Sequence, residues 1–171
     1  VRILAVCGSL QAMSANLVLL HTAARSAPAG VEVVLFDGLR DLHHFDPDLE
    51  AKGVPPAVQR WRRALSDSDA LLIASPEYGH SLPGVLKNGI DWVIGSGELE
   101  RKVVAITASV PGPDRGRLGL KALGDTLGAV RATIVGGEPI TRGPTFDSDV
   151  AELLRRLVDE VRMSCVDHPL S

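Results

Sequence analysis

The chain has 171 residues, 45% of them hydrophobic, and a formal net charge of −3. That length supplies one ordinary core and is short for two independent ones, so a single domain over 1–171 is expected. The acidic balance provides no basic stripe for nucleic acid or an anionic membrane, which leaves small molecules or other proteins as partners.

No apolar run approaches the roughly 20 residues that span a bilayer. The opening "VRILAVCGS" lacks the charged lead and the length of a signal peptide. Two cysteines, Cys7 and Cys165, stand far apart and fit neither a CxxC pair nor a metal-ligand spacing, so a reduced cytoplasm is the expected setting. Cys7 falls in an apolar run and reads as a small buried thiol. A phosphatase loop built on it would want an arginine six positions on, where the chain has Met13.

Taken in chain order, apolar runs without alternation mark strands at about 1–7, 31–36, 69–75, 102–108 and 131–135. Helical periods fill the intervals. Ser14 is placed to cap the first helix, with Leu17, Leu20 and Ala24 as its inward stripe. A second helix follows Pro55-Pro56 and buries Ala57, Trp61 and Ala64 or Leu65. The third has Ser81 as its expected cap and Leu86, Ile90 and Val93 as its inner face. The fourth, around 117–128, is weakened by Gly116, Gly119, Gly124 and Gly128. The fifth starts near Asp147-Ser148 and repeats Val150, Leu153, Leu154, Leu157 and Val161.

Strict βα alternation predicts an α/β fold with three layers: a doubly wound, five-stranded parallel sheet of order 2-1-3-4-5. Such sheets take ligands beyond the strands' carboxyl ends where the winding reverses, here between the first and third strands. The loop after the first, "CGSLQAMSANL", sets a glycine, two serines and an asparagine before a helix. It reads either as an anion cradle or as a plain βα connection. It is neither a Walker loop nor a GxGxxG turn. A phosphoacceptor receiver is excluded because Cys-Gly-Ser and Ser75 stand where its acidic residues belong.

After the third strand comes "SPEYGHSLPG". Pro76 biases Ser75 toward an extended backbone, Gly79 admits a positive φ or a close approach, and Tyr78 offers a flat face. A planar heterocycle with a phosphate tail reaching Ser9 and Ser14 would suit the two loops together. A connecting Pro/Gly turn is the alternative.

"GSLQAMSAN" combined with "SPEYGHSLPGVLKNGIDW" closely resembles the NADPH-dependent FMN reductase family, whose flavodoxin-like members include quinone, chromate and azo-dye reductases. The second stretch is the specific one. The resemblance implies that Ser9, Ser14 and Asn16, with the amides around Gln11 and Ala15, hold the FMN phosphate. It implies that Pro76, Glu77, Tyr78 and Gly79 line the ribityl chain and the ring, and that Ser109 matches a flavin-contacting position. A nicotinamide, NADPH or NADH, would reduce the flavin, which would pass electrons to a quinone, free flavin or another small acceptor. A homodimer or homotetramer is implied as well. An electron carrier indifferent to NAD(P)H and a flavin-free interaction protein are the competing functions.

Three departures from the family bear on this reading. Gln11 stands where the family usually has arginine, and no Lys or Arg occurs between residues 3 and 24, so weaker FMN binding is expected. The asparagine after the family's tyrosine is Gly79, followed by His80, which is either a proton donor beside the open ring face or a solvent-facing histidine. After the fourth strand, "TASVPGPDRGRLG" adds Arg115 and Arg117, which either meet a nucleotide 2′-phosphate or belong to a solvated loop. His43-His44 matches no standard zinc pattern. Phe45 and Trp92 read as interface residues, with a buried intramolecular tryptophan as the alternative.

Overall fold

The computed structural model describes residues 1–166. Strands β1 (Arg2–Cys7), β2 (Glu32–Phe36), β3 (Ala70–Ala74), β4 (Val103–Thr107) and β6 (Thr133–Gly136) form a five-stranded sheet in the order β2-β1-β3-β4-β6. All its pairings are parallel. This is the expected doubly wound order, with β6 as its fifth strand. β3 and β4 are buried along their whole lengths, as continuous apolar strands between two helical layers must be.

Alternate residues feed two cores, because side chains of a strand point to opposite faces. Leu4, Val6, Leu71, Ile73, Val104 and Ile106 pack against α3 (Pro56–Ser66), α4 (Gly84–Ile94) and α5 (Arg117–Ala129). Ile3, Ala5, Leu72, Ala74 and Ala105 pack against α1 (Ala15–Arg25) and α6 (Phe146–Val166). In α6 the expected stripe of Val150, Leu153, Leu154, Leu157 and Val161 is buried.

Two local expectations require correction, and two further elements carry no sequence signal. The α1 stripe is turned by about one position, with Leu19, Leu20 and Ala23 buried while Leu17 and Ala24 are half-buried. Ser81 does not cap α4. The cap position belongs to Pro83, and Ser81 is held in a tight turn described below. The 38–52 stretch contains a 3-10 turn (Gly38–Asp41) and the short α2 (Pro47–Lys52), which Asp46 caps by accepting from the Asp48 amide at 2.9 Å. Strands β5 (Ser109–Val110) and β7 (Ile140–Thr141) form a second, two-stranded parallel sheet, too short for any sequence period to reveal.

Trp92 is an intramolecular residue with no exposed surface. Its Nε1 donates to the His43 carbonyl at 2.7 Å. Asn88 donates to the same carbonyl at 2.9 Å and accepts from the Phe45 amide at 2.8 Å. The "KNGIDW" face of α4 therefore pins the 43–45 segment, and Phe45 stands edge-on to Trp92 with ring centroids 5.2 Å apart.

Candidate functional site

The registers Cys7↔Ala74 and Ala74↔Thr107 bring β1, β3 and β4 to a common end, so the loops after them share one rim of the sheet. Contact between the first two is close. Gly8 donates its amide to Ala74 at 2.9 Å, and a Cβ on Gly8 would lie 2.6 Å from Ser75 Oγ. Only glycine fits there. Ser75 in turn donates its amide to Thr107 at 2.9 Å.

Within the first loop, Ser9 Oγ accepts from the Gln11 amide at 3.2 Å, and the Gln11 carbonyl accepts from the Ser14 amide at 3.2 Å. Ser14 is the N-cap of α1, its Oγ accepting from the Asn16 amide at 3.2 Å. Two of the amides expected to face a phosphate, those of Gln11 and Asn16, are thus engaged by serine hydroxyls. The Ala15 amide stays among the orphan donors of the helix start. Ser9, Ser14 and Asn16 are all buried. Cys7 is half-buried, with Sγ 3.8 Å from Ser14 Oγ at the floor of the loop.

Asn16 links two loops. Its Oδ1 accepts from the Ser109 amide at 2.8 Å, which ties the start of α1 to the first residue of β5 across 93 positions of sequence. Ser109 is 9% exposed, and its Oγ is a buried polar atom without a hydrogen-bond partner. Such atoms are uncommon in folded proteins, and this one has a donor and acceptor capacity that no other group among the described residues uses.

The Pro76–Gly79 segment follows β3 on the same rim, beside the first loop through the Gly8–Ser75 contact. Tyr78 and Ser81 exchange backbone hydrogen bonds at 3.0 Å each, around Gly79 at φ 56° and His80 at φ 61°. Positive φ at both central residues is the type I′ turn, a conformation that glycine and asparagine accept most readily. Gly79 in place of the family's asparagine therefore preserves the backbone while removing a side chain. Tyr78 is 55% exposed beside this turn, and Pro76 is half-buried.

Glu77 points elsewhere. Its Oε2 accepts from the Gly119 amide at 2.9 Å, in the first turn of α5. That helix has Gly116 at its cap position and no acidic residue in its own first turn, so Glu77 supplies both the missing acceptor and the favourable negative charge. Gly119 makes the approach possible, because a Cβ there would fall 3.0 Å from Glu77 Cα. The Glu77 carboxylate thus docks a helix, which fixes the segment expected to line the flavin.

Two clefts flank the first loop. One of about 460 Å³ is lined by Met13, Ala15, Ser109, Arg142, Phe146 and Asp147. The other, about 180 Å³, includes Ser9, Gln11 and Arg40. Arg40 Nη2 donates to the Leu10 carbonyl at 3.0 Å. Arg40 and Arg142 were both missed by sequence reading, since each lies far from the loop it faces and belongs to no motif. Arg117 pairs with Glu138 at 2.6 Å on the surface.

A family model described as NADPH-dependent FMN reductase matches residues 1–143. The chain belongs to this family. An NAD(P)H-dependent FMN reductase of Pseudomonas aeruginosa is 38% identical over 119 residues, which are 70% of this chain and 63% of that protein. A quinone reductase of Escherichia coli K12 is 33% identical over 93 residues, 54% of this chain and 50% of its own length. The chain therefore spans from half to under two thirds of these curated relatives. A solved structure of a flavoenzyme NAD(P)H:(acceptor) oxidoreductase from Paracoccus denitrificans superposes with a TM-score of 0.83 at 25% identity, covering 95% of this chain and 97% of the other.

Proposed function

We propose that this chain is an FMN-dependent NAD(P)H oxidoreductase that reduces a quinone, free flavin or another small acceptor. The observation that carries this reading is the rim itself. In a chain of this family, the loops after three strands share one rim of the sheet and are locked together at Gly8–Ser75 and Asn16–Ser109. The orphan Ser109 Oγ supports a ligand that presents an acceptor.

When bound, FMN would supply the redox chemistry, taking a hydride from the nicotinamide and giving electrons to the acceptor. The chain's contribution is binding and orientation. The Ala15 amide would donate to the phosphate end, Ser9, Ser14 and Asn16 would shape the loop around it, and Gln11, whose amide is engaged by Ser9 Oγ, would line the same end. Pro76, Tyr78 and Gly79 would place the ring, and Glu77 would keep that segment fixed to α5. Ser109 would reach the ligand through its free hydroxyl. No side chain is assigned as a catalytic acid or base.

We further propose that the chain works as one FMN-binding domain in a homodimer or homotetramer in the cytoplasm. The exposed Phe45, Tyr78 and Ile94 support association between copies. Among the described residues no helix is long and apolar enough to cross a membrane. A quinone is the first acceptor to try, because the Escherichia coli relative is named a quinone reductase.

Anaerobic mixing of the FMN-loaded protein with NADPH or NADH tests the reading. Rapid loss of the flavin's visible absorption, reversed by adding a quinone, is expected. Bleaching by dithionite alone would make the protein an electron carrier instead.

A further inference from the structure

The first loop carries no cation, since Lys and Arg are absent between residues 3 and 24. The start of α1 contributes the equivalent of roughly half a positive charge. A phosphate monoester brings up to about two negative charges at neutral pH. Additional positive charge must come from another part of the chain if the ligand is to be held well.

The 460 Å³ cleft provides a place for it. Ala15, the first residue of α1, lines this cleft together with Ser109 and Arg142. Ser109 is fixed through its amide by Asn16 Oδ1, so its buried, unpartnered Oγ cannot turn to water by moving its backbone. Arg142 is anchored by its own amide, which donates to the Val110 carbonyl at 2.9 Å at the end of the second sheet. Among the described residues no ion pair engages its guanidinium, whereas Arg117 and Arg131 are both paired. Ala15 at the start of α1, Ser109 with its unpartnered buried hydroxyl, and the exposed Arg142 thus line one cavity.

Arg40 does not serve the same end. It holds a carbonyl of the loop, and in an anion cradle the amides face the ligand while the carbonyls turn away, so Arg40 braces the outside.

We propose that Arg142, acting with Ser109 Oγ, binds the phosphate monoester of the flavin in this cleft and replaces the arginine that Gln11 lacks. The inference rests on the proposed FMN reading. Asp147 lines the same cleft and repels the same ligand, so its charge opposes that of Arg142. The 2′-phosphate of NADPH has the same chemistry as the 5′-phosphate of FMN, and the two sources are separable by experiment.

FMN and riboflavin are titrated by fluorescence quenching into the wild-type protein and into Arg142→Gln, Arg142→Lys and Asp147→Asn, with circular dichroism confirming that each folds. Arg142→Gln should weaken FMN roughly tenfold, the size of a lost charge-assisted hydrogen bond, and leave riboflavin unchanged. Arg142→Lys should recover part of the loss, and Asp147→Asn should tighten FMN. Equal losses for both flavins, or no loss for either, would overturn the assignment while leaving the enzyme reading intact. A rise in KM for NADPH but not NADH, with FMN binding unchanged, would move the charge to the nucleotide and overturn it too. Failure of the wild-type protein to bind either flavin would overturn the enzyme reading and this assignment with it.

Discussion

Position 79 shows how a single residue departs from its family without changing the turn it serves. The Tyr78–Ser81 turn needs a left-handed backbone at Gly79, and at His80 it already holds a non-glycine residue in that region. Gly79→Ala should therefore cost about 1 kcal/mol, the usual penalty for a Cβ in this conformation. Gly79→Asn should cost well under that, because asparagine tolerates the region. Midpoints of urea unfolding would report both, and an alanine variant as stable as wild type would contradict the turn assignment. The sequence marked Gly79 as conformationally permissive, and that much was legible. The side-chain direction of Glu77 was not, because its partner amide at Gly119 lies 42 positions away. Motif position told which loop Glu77 occupies and left open what its carboxylate touches.

At the scale of elements, the link between α1 and β5 is a single side chain. Replacing Asn16 by leucine leaves the Ser109 amide buried without an acceptor, which should cost about 1–3 kcal/mol. Asn16→Asp keeps an acceptor and places a negative charge at a helix start, where it is tolerated or favourable for folding. The same charge would repel a phosphate. The aspartate variant should thus unfold near the wild-type midpoint yet bind FMN far more weakly, and the leucine variant should lose both properties. Parallel unfolding and FMN titrations separate the two effects, and an aspartate variant that binds FMN normally would show that the phosphate lies elsewhere.

The major helices were readable from their own period and the sheet strands from continuous apolar runs, both local signals. The Ser14 cap was readable for the same reason, being a local signal. Ser81 failed as a cap because backbone pairing with Tyr78 competes for that residue. The β5–β7 pair, with two residues in each strand, offered no period at all. Yet this small sheet positions Ser109 and roots Arg142, so part of the candidate site depends on structure that only tertiary contacts define.

For the whole molecule, the strand order puts the reversal of winding between β1 and β3, and the level ends of β1, β3 and β4 bring distant loops to that rim. Family membership names FMN as the ligand class, and the charge of the first loop bears on how its phosphate would be held. The loop proposed to grip a phosphate has no cation of its own, and Arg40 and Arg142 line the two clefts beside it. Binding should accordingly weaken as salt is raised, more for FMN than for riboflavin, because an exposed guanidinium is screened within a Debye length of about 10 Å at 0.1 M ionic strength. The most direct test of the central claim is a titration of the purified protein against FMN followed by fluorescence quenching. Saturable quenching, stronger for FMN than for riboflavin, is the result the account predicts; flavin emission unchanged by the protein would contradict it.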